Sequence, residues 1–537
     1  MCVWPERAAP KTKNSKQSRS SSSGDSPSGV YVQSWAAELP NPGTSASPET
    51  SDTSLDAFVD SLPPVELADV YDVPNTFGPN ARYLGFDSHH ASVAAPSTSW
   101  HLVSHQPRSY LTHADSLQFS RWKPSISKPH SYQDLDQDDD DQEYEIQPWL
   151  PEARRSIRII LRDNNQSHLA GICDFWIFFM NRYSFDPARV IDVPQSIHRR
   201  YSSSDSIRHG MLSTAALVQG CYDPKTPPAL MFKEAQNMAS IAEQLTSLDM
   251  RRPEVSLEIK LAGLGELMCY HYYAGNFKKY YKYLQLSAPI VNILVGSNVE
   301  FHKLRGEETF DIRFFAWCDI LAAVALSRSP LVTYICDVEP LLRDNIQGRE
   351  SDTDDVGIGW VVGCPDAFTM LLVQIINLRQ SNIPQFEKLV RAVRIEEIAR
   401  AWIIRPTRTL NCLLRIERMA TQEIWRHTII LYLYNVIHKA SPTNEVVQKS
   451  VKQIIDLAST IRPGRNPDCL LPVPYFIAAT FATSPKDKHI LKTRVAGTGN
   501  EAFVESLVKT LDDLWKESDD TGKRVDWSKK QSLTFMF

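Results

Sequence analysis

The cysteines of this sequence never come in spaced pairs. Nine are present, at Cys2, Cys173, Cys221, Cys269, Cys318, Cys336, Cys364, Cys412 and Cys469. An odd, scattered set with no C-x-x-C argues against both a zinc site and a disulfide framework, and these thiols are expected to be free and buried in a reducing compartment. Long apolar runs are missing too. No window of about 18 apolar residues exists, so no membrane span is expected. The strongly apolar block Trp176–Met180 is far too short. The first residues, Met1 to Gln17, contain no apolar core of the kind a secretory signal needs. There is no Gly-x-Ser-x-Gly elbow and no H-E-x-x-H, and no histidine pair at i, i+4 is backed by a carboxylate. β-branched alternation closed by hairpin turns is nearly absent. Together these absences point to a soluble intracellular protein with no catalytic residue, no cofactor and no metal.

What is present divides in two. The 537 residues suffice for one large or two ordinary domains, and the net charge of −5 is unevenly spread. Residues 1–150 hold twice as many acidic as basic residues, while the remainder is mildly basic. Serine and proline punctuate this first part, as in Ser18–Ser28, and such composition cannot bury enough apolar surface to offset chain entropy. It is expected to be disordered, and His89-His90 within it is read as part of that arm rather than as a metal site. It ends in the acidic run Asp134–Glu145, whose like charges repel. That run reads as a solvated linker, or as an activation-type segment with Leu135, Tyr144, Ile146, Trp149 and Leu150 as apolar anchors.

From residue 151 to 537 the texture changes to long segments with apolar residues at helical spacing. The segments Ser156–Leu161, Leu169–Tyr183, Asp205–Gln219, Pro228–Leu248, Ser256–Ala274 and Phe277–Leu294 come first, with Gly275-Asn276 as a turn. Helices led by Phe310 and Phe368 follow. Ile383–Ile404, Thr407–His438, Glu445–Ile461, Pro474–Ala482 and Glu501–Trp515 complete the series. The predicted fold is all-α, a multi-helical array of antiparallel helical hairpins.

One stretch is more specific than the rest. In Phe310–Pro330, the residues Phe310, Phe314, Trp317, Leu321 and Val324 share a helix face, and Arg328-Ser329-Pro330 closes the segment. Gly363-Cys364-Pro365-Asp366 then opens the next apolar helix. Further on come a tryptophan-led run from Trp425 to Tyr434, the amphipathic Val446–Leu457, a proline-led Leu471–Ala479, Ser484–Lys488 and a late Trp515. This order, over residues 155 to 520, resembles the regulatory region of fungal-specific transcription factors. The resemblance implies an α-helical regulatory and interaction domain in the nucleus. Family members usually add a binuclear zinc cluster of six closely spaced cysteines, which this sequence does not match. Cys2 stands alone before Lys11, Lys13, Lys16 and Arg19. That patch resembles the linker after such a cluster, or is a short basic arm.

Three other features invite a chemical role. Gly357-Ile358-Gly359-Trp360-Val361-Val362-Gly363 approaches a dinucleotide fingerprint, but its spacing is wrong and the acidic Asp352–Asp355 precedes it, so no cofactor is expected. Tyr270, Tyr272, Tyr273, Tyr280, Tyr281 and Tyr283 suggest a pocket or a stacking surface, and are read as cement between two helices, with Lys278, Lys279 and Lys282 on a solvated face. Asp319 lies inside an apolar helix and would need a partner if buried, an internal ion pair or a helix-terminus hydrogen bond, and Arg328 lies at the C-terminal end of that helix. The expected function is thus transcription regulation through protein partners, a homodimer or an inducer-responsive switch among the forms it takes. Direct DNA binding is left without a module to perform it. The alternative is a cytoplasmic α-helical interaction scaffold.

Overall fold

The computed structural model describes residues 149–537, apart from 164–165, 188–191, 349–356, 408, 410 and 531–532. The disordered arm expected over residues 1–150, with its acidic run, basic patch and His89-His90, lies outside the described residues except at its end. There Trp149 is already buried, and the first helix starts at Leu150.

Seventeen α-helices account for most of the described chain. They are α1 (Leu150–Asp163), α2 (Ala170–Tyr183), α3 (Val193–Ser203), α4 (Asp205–Tyr222), α5 (Pro228–Arg251), α6 (Leu257–Tyr273), α7 (Phe277–Val295), α8 (Phe310–Leu326) and α9 (Glu339–Gln347). After them come α10 (Gly359–Val362), α11 (Asp366–Gln380), α12 (Gln385–Ala401), α13 (Cys412–Val436), α14 (Glu445–Ala458), α15 (Pro472–Ala479), α16 (Pro485–Gly497) and α17 (Ala502–Thr521). The all-α expectation holds. Local chemistry sets many of the boundaries. Asn276 accepts from the Lys279 amide to start α7, directly after Gly275 at φ +70°, so the predicted Gly-Asn turn is in place. Asn411, Asn444 and Ser484 cap α13, α14 and α16 in the same way.

Apolar side chains gather in three clusters. The largest is built from α6 through α17. A second joins α1 to α5 through Ile157, Ile177, Ile197 and Met211. A small third one, Phe175, Phe178, Phe179, Tyr183, Val218, Tyr222 and Cys469, lies between them in composition, drawing on α2, α4 and the turn before α15. The last residues close the molecule: Phe535 and Phe537 pack on Phe476 at ring distances of 5.4 and 5.3 Å.

Four helices escape the periodicity reading, namely α3, α9, α16 and the single turn α10. Each is short and buries few residues, only Leu342 in α9 and only Leu491 and Val495 in α16. A narrow apolar stripe gives little periodic signal. Helix α8 also ends earlier than Pro330 suggests. It stops at Leu326, where Ser327 turns left-handed at φ 56°. The chain then bends back and adds Thr333–Ile335 (β2) in parallel to Asn298–Glu300 (β1). Strands of three residues carry too few alternations to be read beforehand.

The crossing of α4 and α6 is tight at one point. A Cβ at Gly210 would lie 2.5 Å from the Cβ of Glu266. A Cβ at Gly265, one residue away on α6, meets nothing nearer than 3.7 Å. Gly210→Ala is therefore expected to lower stability by about 1–3 kcal/mol by overpacking. Gly265→Ala should raise it by up to about 1 kcal/mol through helix propensity. Urea midpoints of the two variants check the contrast, which fails if they move in the same direction.

Buried His427 on α13 gives the fold an acid sensitivity. Burial, with the neighbouring Arg426, Arg400 and Lys449 cations, pushes its pKa down to about 4, although its Nε2 lies 3.8 Å from Glu423. The unfolded chain protonates near the ordinary histidine value, so acid favours unfolding from pH 6.5 downwards until the folded ring protonates as well. Between pH 7 and 4.5 this single group costs about 2–3 kcal/mol of stability. The pH dependence of the urea midpoint should be shallower by that amount in His427→Gln, and an unchanged slope would contradict the assignment.

Candidate ligand cavity

The three apolar clusters do not fill the space where they meet. A cavity of about 570 Å³ remains there. Its wall is largely aromatic. Trp176 and Phe179 come from α2, Tyr272 and Tyr273 from α6, Phe310, Phe314 and Trp317 from α8, Trp425 from α13, Phe503 from α17, and Phe537 from the last turn of chain. Flat, rigid rings meeting from five helices leave gaps that flexible aliphatic chains would fill. Trp317 and Trp425 meet edge to face at 5.6 Å, and Phe503 takes Tyr272 tilted at 4.8 Å and Tyr273 edge to face at 5.3 Å.

The face of α8 singled out in the sequence is thus a cavity wall. Phe310, Phe314, Trp317 and Leu321 all line it, with Val324 buried beyond. The six tyrosines divide. Tyr272, Tyr273 and Tyr280 border the cavity, and Tyr272 packs on Tyr280 at 5.5 Å across the α6–α7 hairpin. Tyr270, Tyr281 and Tyr283 are buried away from it. Lys279 reaches Glu243 at 2.9 Å, and that carboxylate also receives His271 at 2.8 Å.

One end of the cavity is polar. Arg200 on α3 donates to both oxygens of Asp311 at 2.9 and 3.1 Å and to Glu266 at 2.6 Å. Beside it Arg199 pairs with Glu307. Burial opposes the Arg200 charge, but Asp311 and Glu266 outweigh it and hold the guanidinium above its ordinary range. Burial pushes the Glu266 carboxyl up, against the pull of Arg200. Among the residues lining the cavity carboxylates outnumber guanidiniums, with Glu258, Glu266, Glu307, Glu308 and Asp311 against Arg199, Arg200 and Arg313. The sequence reading missed the whole of α3 and with it both arginines. The signal was there in Asp192, whose side chain accepts from the Gln195 amide, and in Pro194 in the first turn.

Three thiols also face the cavity, Cys269, Cys318 and Cys469. Burial raises all three, Cys318 and Cys469 to about 12 and Cys269 well above its usual value. At neutral pH they are protonated wall groups and weak nucleophiles. No group of three or more His, Cys, Asp or Glu among the described residues is placed to hold a metal ion. The glycine loop at 357–363 has its own occupant. The Asp366 carboxylate accepts from the amides of Ile358 and Gly359, each at 2.9 Å, where a phosphate would need to sit. No helix among the described residues is long and apolar enough to cross a membrane.

The family model described as "Fungal specific transcription factor domain" matches residues 175–533. The chain belongs to that family. No curated protein and no solved structure matches it. The fungal specific transcription factor domain takes in α2 through α17, and so holds every cavity-lining helix named above except the start of α2. Helix α1 precedes it. Membership gives the chain a role in transcription regulation, which the composition alone had not given. It also agrees with the order of motifs from Phe310 to Trp515, a stretch that lies wholly inside the match.

Proposed function

We propose that the chain is an effector-responsive regulator of transcription. It acts in the nucleus through protein partners, and reaches DNA through a bound partner or through a zinc cluster that this sequence does not carry. The observation that carries this reading is the cavity at the meeting point of α2, α6, α8, α13 and α17. Its volume of about 570 Å³ lies in the range that small organic ligands fill. Its aromatic wall favours a rigid, largely apolar molecule. The excess of carboxylates in the lining disfavours an acid and favours a neutral ligand or a cation. No catalytic step is assigned: Arg200 is engaged by Asp311 and Glu266, Arg199 by Glu307, and Arg313 by the carbonyls of Gly306 and Gly357, while the thiols are held protonated. A ligand there works by favouring one packing of the helices that enclose it, and a partner surface reads the difference.

A neutral fluorescent naphthylamine, N-phenyl-1-naphthylamine, serves as the probe. Saturable binding by the full chain is expected, with loss of roughly tenfold or more in affinity when Gly265→Leu fills the polar end. Circular dichroism of the variant verifies its fold. Failure of the chain to bind the probe, or equal binding by the variant, would remove the cavity from the account. A tagged chain excluded from the nucleus would favour the cytoplasmic scaffold instead.

A further inference from the structure

Helix α1 carries a basic stripe that the core does not use. Ala153, Ile157, Ile160 and Leu161 turn inward to the second apolar cluster. Arg154, Arg155, Arg158 and Arg162 lie on the other side, with Ile159 among them at 42% exposure. Among the described residues two of the four arginines have acidic partners, Arg158 with Asp174 at 2.9 Å and Arg162 with its neighbour Asp163 at 3.2 Å. Arg155 is exposed, and the Nε of Arg154 is shielded from solvent without a hydrogen-bond partner. The stripe lies outside the family match, so regulatory-domain packing does not explain it.

The sequence supplies a complementary segment close by. Asp134–Glu145 holds eight carboxylates in twelve residues, and only four residues separate Glu145 from the start of α1. From Arg154 to Arg162 the helix rises about 12 Å. Four or five residues of extended chain cover that distance at about 3.3 Å each, so the run is long enough to span the stripe.

We propose that the outward arginine face of α1 is the docking surface for the chain's own acidic run, Asp134–Glu145. The contact is weak pair by pair, since exposed ion pairs contribute little each. It persists because the segment is tethered. A short linker holds it at an effective concentration in the millimolar range, so an intrinsic dissociation constant of about 0.1 mM is enough to keep the face occupied about ten-elevenths of the time. Occupied, the face keeps the acids bound to it away from other proteins, and the arginines away from external polyanions. The contact makes the acidic run a guarded segment and is independent of what fills the cavity.

The test uses the full chain and a fluorescent 20-base-pair DNA duplex as the anionic probe. The wild type should bind it weakly. Changing the eight carboxylates of 134–145 to their amides should tighten binding about tenfold, the factor by which a tethered competitor holds it down. Adding Arg154→Gln, Arg155→Gln, Arg158→Gln and Arg162→Gln to that variant should return binding to the wild-type level. All eight acids lie outside the described fold and all four arginines are on its surface, and unchanged thermal melts verify folding. The proposal is overturned if removing the acids brings no gain, or if the gain survives loss of the arginines and so reflects net charge alone. It is also overturned if the wild type already binds the duplex tightly through these arginines, which would make the face a nucleic-acid surface.

Discussion

Asp319→Ala will lower the free energy of unfolding by about 3–5 kcal/mol, the cost of leaving a buried cation and its neighbours without their carboxylate. Asp319 is fully buried in α8. One oxygen takes Arg328 Nη2 at 2.9 Å, the Leu331 amide reaches both oxygens at 2.8 and 2.9 Å, and the Tyr334 hydroxyl donates at 3.0 Å. These bonds fold the chain back after the left-handed Ser327 and deliver β2 to β1. The alanine variant strands Arg328, whose side chain is only 12% exposed, beside the Tyr281 ring. Asp319→Asn keeps the volume and one acceptor, and should fall between the alanine variant and the wild type. Urea unfolding at pH 7 measures both. A loss below about 1 kcal/mol for alanine would mean that water replaces the carboxylate and that the site is not closed.

Arg182→Met should cost a similar amount, about 3–5 kcal/mol, for a different reason. Arg182 sits on α2, near the front of the described chain, and holds the back of it. Its guanidinium donates to the carbonyl of Gly464 at 2.6 Å and to that of Thr498. It lies 4.8 Å from the Tyr222 ring centre. Nearby, the fully buried Glu501 accepts from the Tyr183 and Tyr222 hydroxyls at 2.7 and 3.1 Å. Methionine preserves much of the volume and the apolar stem, but leaves two carbonyls without donors and Glu501 without a nearby positive charge. The double variant Arg182→Met with Glu501→Gln should therefore lose less than the sum of the singles, by about 1 kcal/mol or more. Strict additivity would show that Arg182 acts only as a backbone clamp and that the charges do not communicate.

These two residues also mark how far the sequence could be read. Asp319 was legible in part, because an aspartate inside an apolar helix needs a partner once buried, while its pairing with Arg328, Leu331 and Tyr334 came from the fold. Arg182 was not legible. Its partners are 282 and 316 residues away, and no local pattern encodes such a distance. The glycine loop shows the same divide. Its wrong spacing and acidic approach argued against a phosphate, but only the fold shows that Asp366 takes the place a phosphate would have. Likewise, helical spacing put Phe310, Phe314 and Trp317 on one face, but could not say whether that face met a neighbour or an empty space.

The sequence by itself determined the class of this protein. Apolar residues at a spacing of three and four, capping side chains and breaks at Gly275-Asn276 and Pro406 specify helices locally, and the order of their motifs specifies the family. The tertiary structure alone decided that three apolar clusters meet imperfectly and leave a cavity. It decided too that α3, nearly silent in the periodicity, brings Arg200 to Asp311 and Glu266. The physical reason is that helix formation depends on neighbours a few residues apart, whereas a cavity is the volume left over when rigid rings from distant helices fail to interlock. That remainder belongs to the packing as a whole and to no segment of the chain.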